Sequence, residues 1–162
     1  MEVRHFSEIE GEFIRRVHSI VWCSVATVDS HGRPRSRVLH PIWEGSTGWI
    51  LTHRDSYKSR HIERNPYVSL TYLDIADIMR PVYADCAAEW GDDPAQKRRI
   101  WEMFTSAPPP LGYDPTSTFG SPDLDTTGLL RLTPWRIAII SFPAPSHDEG
   151  QLIWRNEASG EA

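Results

Sequence analysis

Three β-rich runs follow one another from Val21 to His53 with almost nothing between them. They are VWCSVATVDS (21–30), RPRSRVLHPIW (33–43) and WILTH (49–53), joined by turn signals at DSHG and EGSTG. Parallel neighbours need a crossover of a dozen or more residues, so connections this short allow only antiparallel pairing. YVSLTYLD (67–74) and IMRPVYADCAAEW (78–90) read as two more antiparallel strands, and TGLLRLTPWRIAIISF (127–142) and QLIWR (151–155) close the pattern.

Helical spacing interrupts the strands in three places. Phe6, Ile9, Phe13, Ile14, Val17 and Ile20 recur behind Ser7, a plausible N-cap, and lead into the first strand. A short helix starts at Asp55 or Ser56, runs to about Glu63 and is stopped by Asn65-Pro66. A third opens at Asp93-Pro94, where Ile100, Trp101 and Phe104 share a face. The expected architecture is mainly β with α insertions: an antiparallel barrel of six or so strands with flanking helices. Trp22, Trp43, Trp49 and Trp101 are expected in the core or an interface. The Pro- and Gly-rich stretch 106–127, which carries Tyr113 and Phe119, is expected to be a lid or an interface segment.

At 162 residues and 40% apolar composition, one domain over 1–155 is expected, with 156–162 a disordered tail. A net charge of −5 argues against a general nucleic-acid binder. The apolar runs fall short of the ~20 residues of a membrane span, and the N-terminus lacks a signal-peptide core. Cys23 and Cys86 sit inside strand-like runs and read as buried reduced thiols, which favours the cytoplasm. The seven histidines show no metal-ligand spacing, so no metal site is expected. There is no glycine-rich dinucleotide fingerprint and no P-loop.

Charge is distributed unevenly. Residues 30–64 hold seven Lys or Arg against three acids, +4 within a chain of net −5. Arg37 falls on the second strand, and Ser56, Tyr57 and Lys58 open the helix after the third. Antiparallel neighbours could bring a guanidinium, an ammonium, a hydroxyl and a helix N-terminus onto one phosphate-like anion. Arg60 and Arg64 read instead as the wet face of that helix.

CSVATVDSHGRPRSRVL followed by ILTHRDSYKSRHIERNPYVSL resembles the FMN-binding split-barrel family, to which pyridoxamine 5'-phosphate oxidase belongs. Residues 20 to 85 carry most of the likeness. It implies that Arg37 and Lys58 hold the FMN phosphate with Ser56 and Tyr57 beside them. Val38, Leu39 and His40 would line the flavin ring by their backbone, and Leu51 and Thr52 would lie under the ring and ribityl chain. An ungapped alignment puts Arg80 where the family has a Gln reaching the ring. The resemblance further implies a homodimer sharing each flavin across its interface, with Tyr113, Trp135, Arg136 and Trp154 as candidates for covering the ring, and a small-molecule substrate.

The departures are informative. The oxidase's substrate-recognition set is missing: Ile140-Ser141 and LIWR ending in Arg155 stand in its place. The helix at DPAQKRRIWEMF, the Pro-rich loop and the P-W-R-I strand are closer to the general-stress-protein and flavin/deazaflavin oxidoreductase branches. The expected function is hydride transfer between bound FMN and a small substrate, with the cofactor doing the chemistry and no catalytic acid or base identified. Two alternatives share the fold. One is a reductase using the deazaflavin coenzyme F-420, whose anionic tail Arg33, Arg35 and Arg54 could meet. The other is a non-catalytic flavin or haem carrier, with His40 and His53 as possible axial ligands.

Overall fold

A computed structural model of the protein describes residues 1–156, so all but one residue of the expected tail lies outside the described residues. The chain opens with a two-residue strand β1 (Glu2–Val3), a single 3-10 turn at Phe6–Glu8 and helix α1 (Glu10–Ile20). The helix starts later than expected. Ile9 rather than Ser7 precedes it, and the Glu8 carboxylate is taken by the Arg4 and His5 N–H groups in the turn before.

β2 (Cys23–Val28) and β3 (Pro34–Leu39) form the expected hairpin, closed at Gly32, whose φ of 74° suits a residue without Cβ. The second β-rich run then breaks. Pro41 has no N–H to give a ladder, and the chain leaves β3 at His40-Pro41 to begin β4 (Ile42–Glu44), which pairs with β5 (Thr47–His53) rather than with β2. Helix α2 (Tyr57–Arg64) follows behind Ser56, then β6 (Tyr67–Tyr72) and β7 (Val82–Trp90). Residues 73–81 form a turn-rich loop, so the strand expected from Ile78 starts only after Pro81.

The Asp93 carboxylate accepts from the Gln96 N–H at 2.9 Å to cap α3 (Pro94–Ser106), as the Asp-Pro start suggests. The stretch after it is ordered and holds a one-turn helix, α4 (Thr116–Phe119). β8 (Thr127–Ile140) pairs with β7 along most of its length, with β5 through its first half, and with β9 (Gln151–Arg155) through its second. The register shifts between Asp85 and Cys86, whose partners are Arg136 and Pro134, so Trp135 forms a bulge next to a proline that has no N–H to give the ladder.

Strand order is β1-β9-β8-β7-β6-β2-β3, with β5 on the other side of β8 and β4 beyond it. All pairings except β1–β9 are antiparallel. The described residues form nine strands, where six or so were expected, and the split-barrel architecture follows from how they end. Among the described residues β3 has no strand on its outer edge. β4 covers only Thr47–Trp49 of β5, so Ile50–His53 have no strand partner on that side among the described residues. These two open edges are the split.

Two cores support it. Inside the barrel, Ile9 before α1 and Phe13 and Val17 on it pack with Val25, Leu70 and Ile137, and Phe13 meets Trp43 edge-on at 4.9 Å. The Trp43 Nε1–H donates to the Tyr72 hydroxyl at 2.8 Å, which satisfies both buried polar groups. Outside the barrel, α3 seats Ile100 and Phe104 on Ile42, Trp49, Leu51 and Leu129. Trp43 and Trp49 are therefore core residues and Trp101 packs against the second core, whereas Trp22 is 59% exposed in the protomer. Cys23 and Cys86 are free and buried, and burial pushes the Cys23 thiol up to about 12. No helix among the described residues is long and apolar enough to cross a membrane.

Candidate functional site

Residues directly opposite on antiparallel strands share a face. Arg35 lies opposite Thr27, Arg37 opposite Val25 and Leu39 opposite Cys23, all three partners buried, so these β3 side chains point to the inner side. At this open edge of the barrel the inner side is closed by α2, which buries Ser59 and Ile62 and lays His61 against β2. The helix thus connects the end of β5 to the face carrying Arg37.

The Arg37 guanidinium donates from Nη1 to Thr27 Oγ1 at 2.8 Å and to the Val25 carbonyl at 3.2 Å. No carboxylate among the described residues pairs with it. Thr27 Oγ1 is also 2.9 Å from His61 Nδ1, and Lys58 lies one turn earlier on the same helix. Lys58 has no hydrogen bond or ion pair among the described residues, and Asp55 is the acid near it. Burial pulls the Arg37 guanidinium below its ordinary value, and Arg35 pulls it further. Burial does the same to the Lys58 ammonium, Arg37 adds to that, and Asp55 partly offsets it. Two half-buried cations that disfavour each other are costly to hold together, and an anion between them reverses the sign of that interaction.

The clamp opens into a groove of about 350 Å³ between the β2–β3 turn and the start of α2. Ser56 caps the helix in extended conformation, its Oγ 3.0 Å from Ser59 Oγ, and Tyr57 is 79% exposed at the mouth. Arg37 and Tyr57 line this groove, Lys58 lies near enough to Arg37 for the two charges to act on each other, and Ser56 stands at the start of the helix that carries Lys58.

The remaining residues fall into three groups. Val38 points to the outer face and is 64% exposed, Leu39 packs against the barrel core, and His40 sits at the bend between β3 and β4. The His40 ring is boxed by Tyr113 at 4.9 Å, Trp22 at 5.0 Å and Phe104 at 5.4 Å, with Nε2 buried and unbonded. Burial lowers its pKa first, opposed by a backbone hydrogen bond at Leu111 and reinforced by His18. His53 is exposed at the far end of β5 against Phe119, opposite Thr127, so the two histidines stand apart. Leu51 and Thr52 lie on the open part of β5, the Leu51 side chain in the α3 core and Thr52 buried opposite Gly128.

Arg80, expected at the flavin ring, lies on the β6–β7 loop against α1, 3.6 Å from Glu12 and 4.0 Å from Asp77. One expected placement is corrected within the protomer. Trp154 is a core residue, 7% exposed and edge-on to Phe6 at 5.4 Å, so no ring face is free to cover a ligand. Arg136 is paired with Asp85 at 3.0 Å, and Trp135 is half-buried with its Nε1 unbonded. Arg54, expected to be able to meet a ligand tail, pairs with Glu63 at 2.9 Å and Asp92 at 3.1 Å and stacks on Trp90 at 3.7 Å.

Sequence reasoning missed Thr27 and His61. A signal for His61 was present, because a residue three after Lys58 shares its helix face. Thr27 gave none, since its role depends on which face of β2 the helix covers. Among the described residues no group of three His, Cys, Asp or Glu is placed to hold a metal ion.

Comparison with known proteins agrees with this architecture. A protein related to general stress protein 26 from Clostridium acetobutylicum superposes with a TM-score of 0.72 at 14% identity, over 93% of this chain and 96% of that one. A pyridoxamine 5'-phosphate oxidase-related, FMN-binding protein from Nostoc punctiforme gives 0.64 at 14% identity, over 91% and 96%. A protein described as an F420 reductase gives 0.56 at 17% identity, over 76% and 93%. At these identities the likeness is one of fold. No curated protein sequence matches the chain. The family model for pyridoxamine 5'-phosphate oxidase, however, matches residues 9–140, which takes in the barrel strands β2 to β8, the split and the Arg37–Lys58 clamp, and the chain belongs to that split-barrel family.

Proposed function

We propose that the protein is an oxidoreductase that binds a phosphorylated flavin, FMN in the simplest case, in the split between β3 and β5. The observation that carries this reading is the convergence of Arg37 and Lys58, half-buried and without a carboxylate bonded to either. Such a pair fits a phosphate, which would accept charge-assisted hydrogen bonds from both. The unpaired backbone edge of β3, from Pro34 to Leu39, supplies donors and acceptors suited to the polar rim of a flavin ring. A bound flavin takes up a hydride and passes it on. The chain's contribution is to fix the phosphate at Arg37 and Lys58, to hold Arg37 in place through Thr27, and to shield one side of the split with α2.

The reading leaves pyridoxamine phosphate oxidation aside. Where that oxidase keeps its substrate-recognition set, Ser141 here accepts from the buried Arg16 at 2.6 Å and Arg155 pairs with Glu2 at 2.9 Å, so both side chains serve the fold. We also propose a homodimer. The outer faces of β3, β2 and β6 leave Val38 64% and Tyr67 55% exposed, with Ser24 and Ser36 exposed on the same side.

Flavin fluorescence tests the site. FMN added to the protein should be quenched, and Arg37→Ala and Lys58→Ala should each weaken binding about tenfold or more. Equal affinity in wild type and both variants would remove the proposed phosphate site. The absorption spectrum of the protein as purified separates flavin, deazaflavin and haem directly.

A further inference from the structure

Most of the chain's 17 Lys and Arg side chains are held within 4.0 Å of a carboxylate. Among the described residues, Arg35, Arg37, Lys58, Arg60 and Arg64 are not, and all of them stand on β3 or α2. The others without a carboxylate are Arg4, near the N-terminus, and Lys97, whose ammonium donates to the Leu124 carbonyl. Arg37 and Lys58 belong to the proposed phosphate clamp. Arg60 and Arg64 do not: they are exposed on the side of α2 that faces away from the barrel. Tyr57 joins them, its ring 79% exposed with the Arg60 guanidinium 5.6 Å from its centroid, and Arg64 follows Arg60 by one helical turn. Arg35 borders this face across the groove from Tyr57. The nearby acids leave it charged, because Asp29 is taken by Arg33 and Glu63 by Arg54, while Asp55 acts on Lys58.

We propose that the exposed face of α2, Tyr57, Arg60 and Arg64 with Arg35 at its border, docks a protein partner through a compact cluster of carboxylates on that partner's surface. Guanidinium forks take carboxylates bidentately, and Tyr and Arg are among the side chains that carry most of the binding energy at protein interfaces. A nucleic acid fits less well. The helix offers eight residues, about 12 Å of length. Residues 30–64 carry +4 in a chain of net −5, so a phosphate chain running past the helix meets a strongly acidic remainder. A compact acidic patch stays on the basic face, and the opposite signs of face and remainder orient its approach. The docking face does not depend on what fills the split.

The probe is a rhodamine-labelled octaglutamate peptide, followed by fluorescence anisotropy with the full chain, both free and saturated with FMN, beside a labelled octathymidylate of similar charge. The peptide should bind at low ionic strength and weaken about tenfold between about 20 and 200 mM salt. Arg60→Glu combined with Arg64→Glu should weaken it about tenfold or more, and Arg60→Gln with Arg64→Gln by less. Arg98→Glu with Arg131→Glu makes the same change of net charge on α3 and β8 and should alter the affinity less than about threefold. Saturating FMN should leave the peptide's affinity within about threefold. No binding of the peptide, equal losses from the two reversed pairs, or tighter binding of the oligonucleotide overturns the docking face. Full displacement of the peptide by FMN overturns it as well, since the peptide then occupies the clamp. Failure of FMN to bind removes the clamp and leaves the docking face standing.

Discussion

At the scale of single residues, the β2–β3 turn shows how local bonding sets charge. The Asp29 carboxyl is held down to about 2, first by the Arg33 backbone N–H, then by the His31 N–H and the Arg33 side chain. The folded value lies below the ordinary 3.8, so the turn's stabilisation is complete above the ordinary value and is lost as pH falls through about 2. A carboxyl-carbon NMR titration should give a midpoint near 2 for Asp29, and Arg33→Ala should raise it only partly, because both backbone donors remain. A wild-type midpoint at the ordinary value would mean that the turn is not closed this way. The motif around Asp29 was readable as a turn, but the alternation that sends Arg35 and Arg37 inward depended on pairing register. A one-residue slip against β2 would have reversed it.

At the scale of elements, α3 and the segment after it form one unit. Phe104 is fully buried, its ring meets Tyr113 at 5.1 Å, and its carbonyl accepts from the Tyr113 N–H at 3.0 Å. Phe104→Ala should cost about 3–5 kcal/mol, and hydrogen exchange should show residues 107–120 loosening before the barrel strands. Uniform destabilisation without faster exchange there would argue against the unit. The helix itself was legible from Asp93-Pro94 and the Ile100, Trp101, Phe104 spacing. The packed path of 107–119 was not, because a Pro- and Gly-rich stretch carries no periodicity, and its course is set by the surface that α3 leaves open. The same limit applied at His40-Pro41. Composition there continues a strand, and only the missing Pro41 N–H and the competition of β5 for β4 end it.

At the scale of the whole molecule, an outer sheet face with Val38, Tyr67 and Trp22 exposed predicts association. Sedimentation equilibrium at micromolar concentration should give the mass of two chains, and Tyr67→Asp should shift the equilibrium toward monomer. A wild-type protein that stays monomeric with FMN present would remove the shared-interface arrangement, and with it the part proposed for Trp135 and Arg136. Trp154, a candidate for covering the ring, lies in the barrel core, and Arg80 is held on a loop against α1.

By itself the sequence determined the antiparallel plan, since turns of a few residues allow no other pairing. It also determined the chemistry at Arg37 and at Ser56 to Lys58, because a charge cluster and a helix start are local properties of the chain. Tertiary structure alone decided which cations share a site. Arg37 and Lys58 come near enough to act on each other because α2 crosses the open edge of the barrel, while Arg54 and Arg80, just as basic in the sequence, are drawn off by carboxylates on neighbouring elements. Charge is written residue by residue, but whether a charge is already neutralised depends on contacts between segments far apart in the chain.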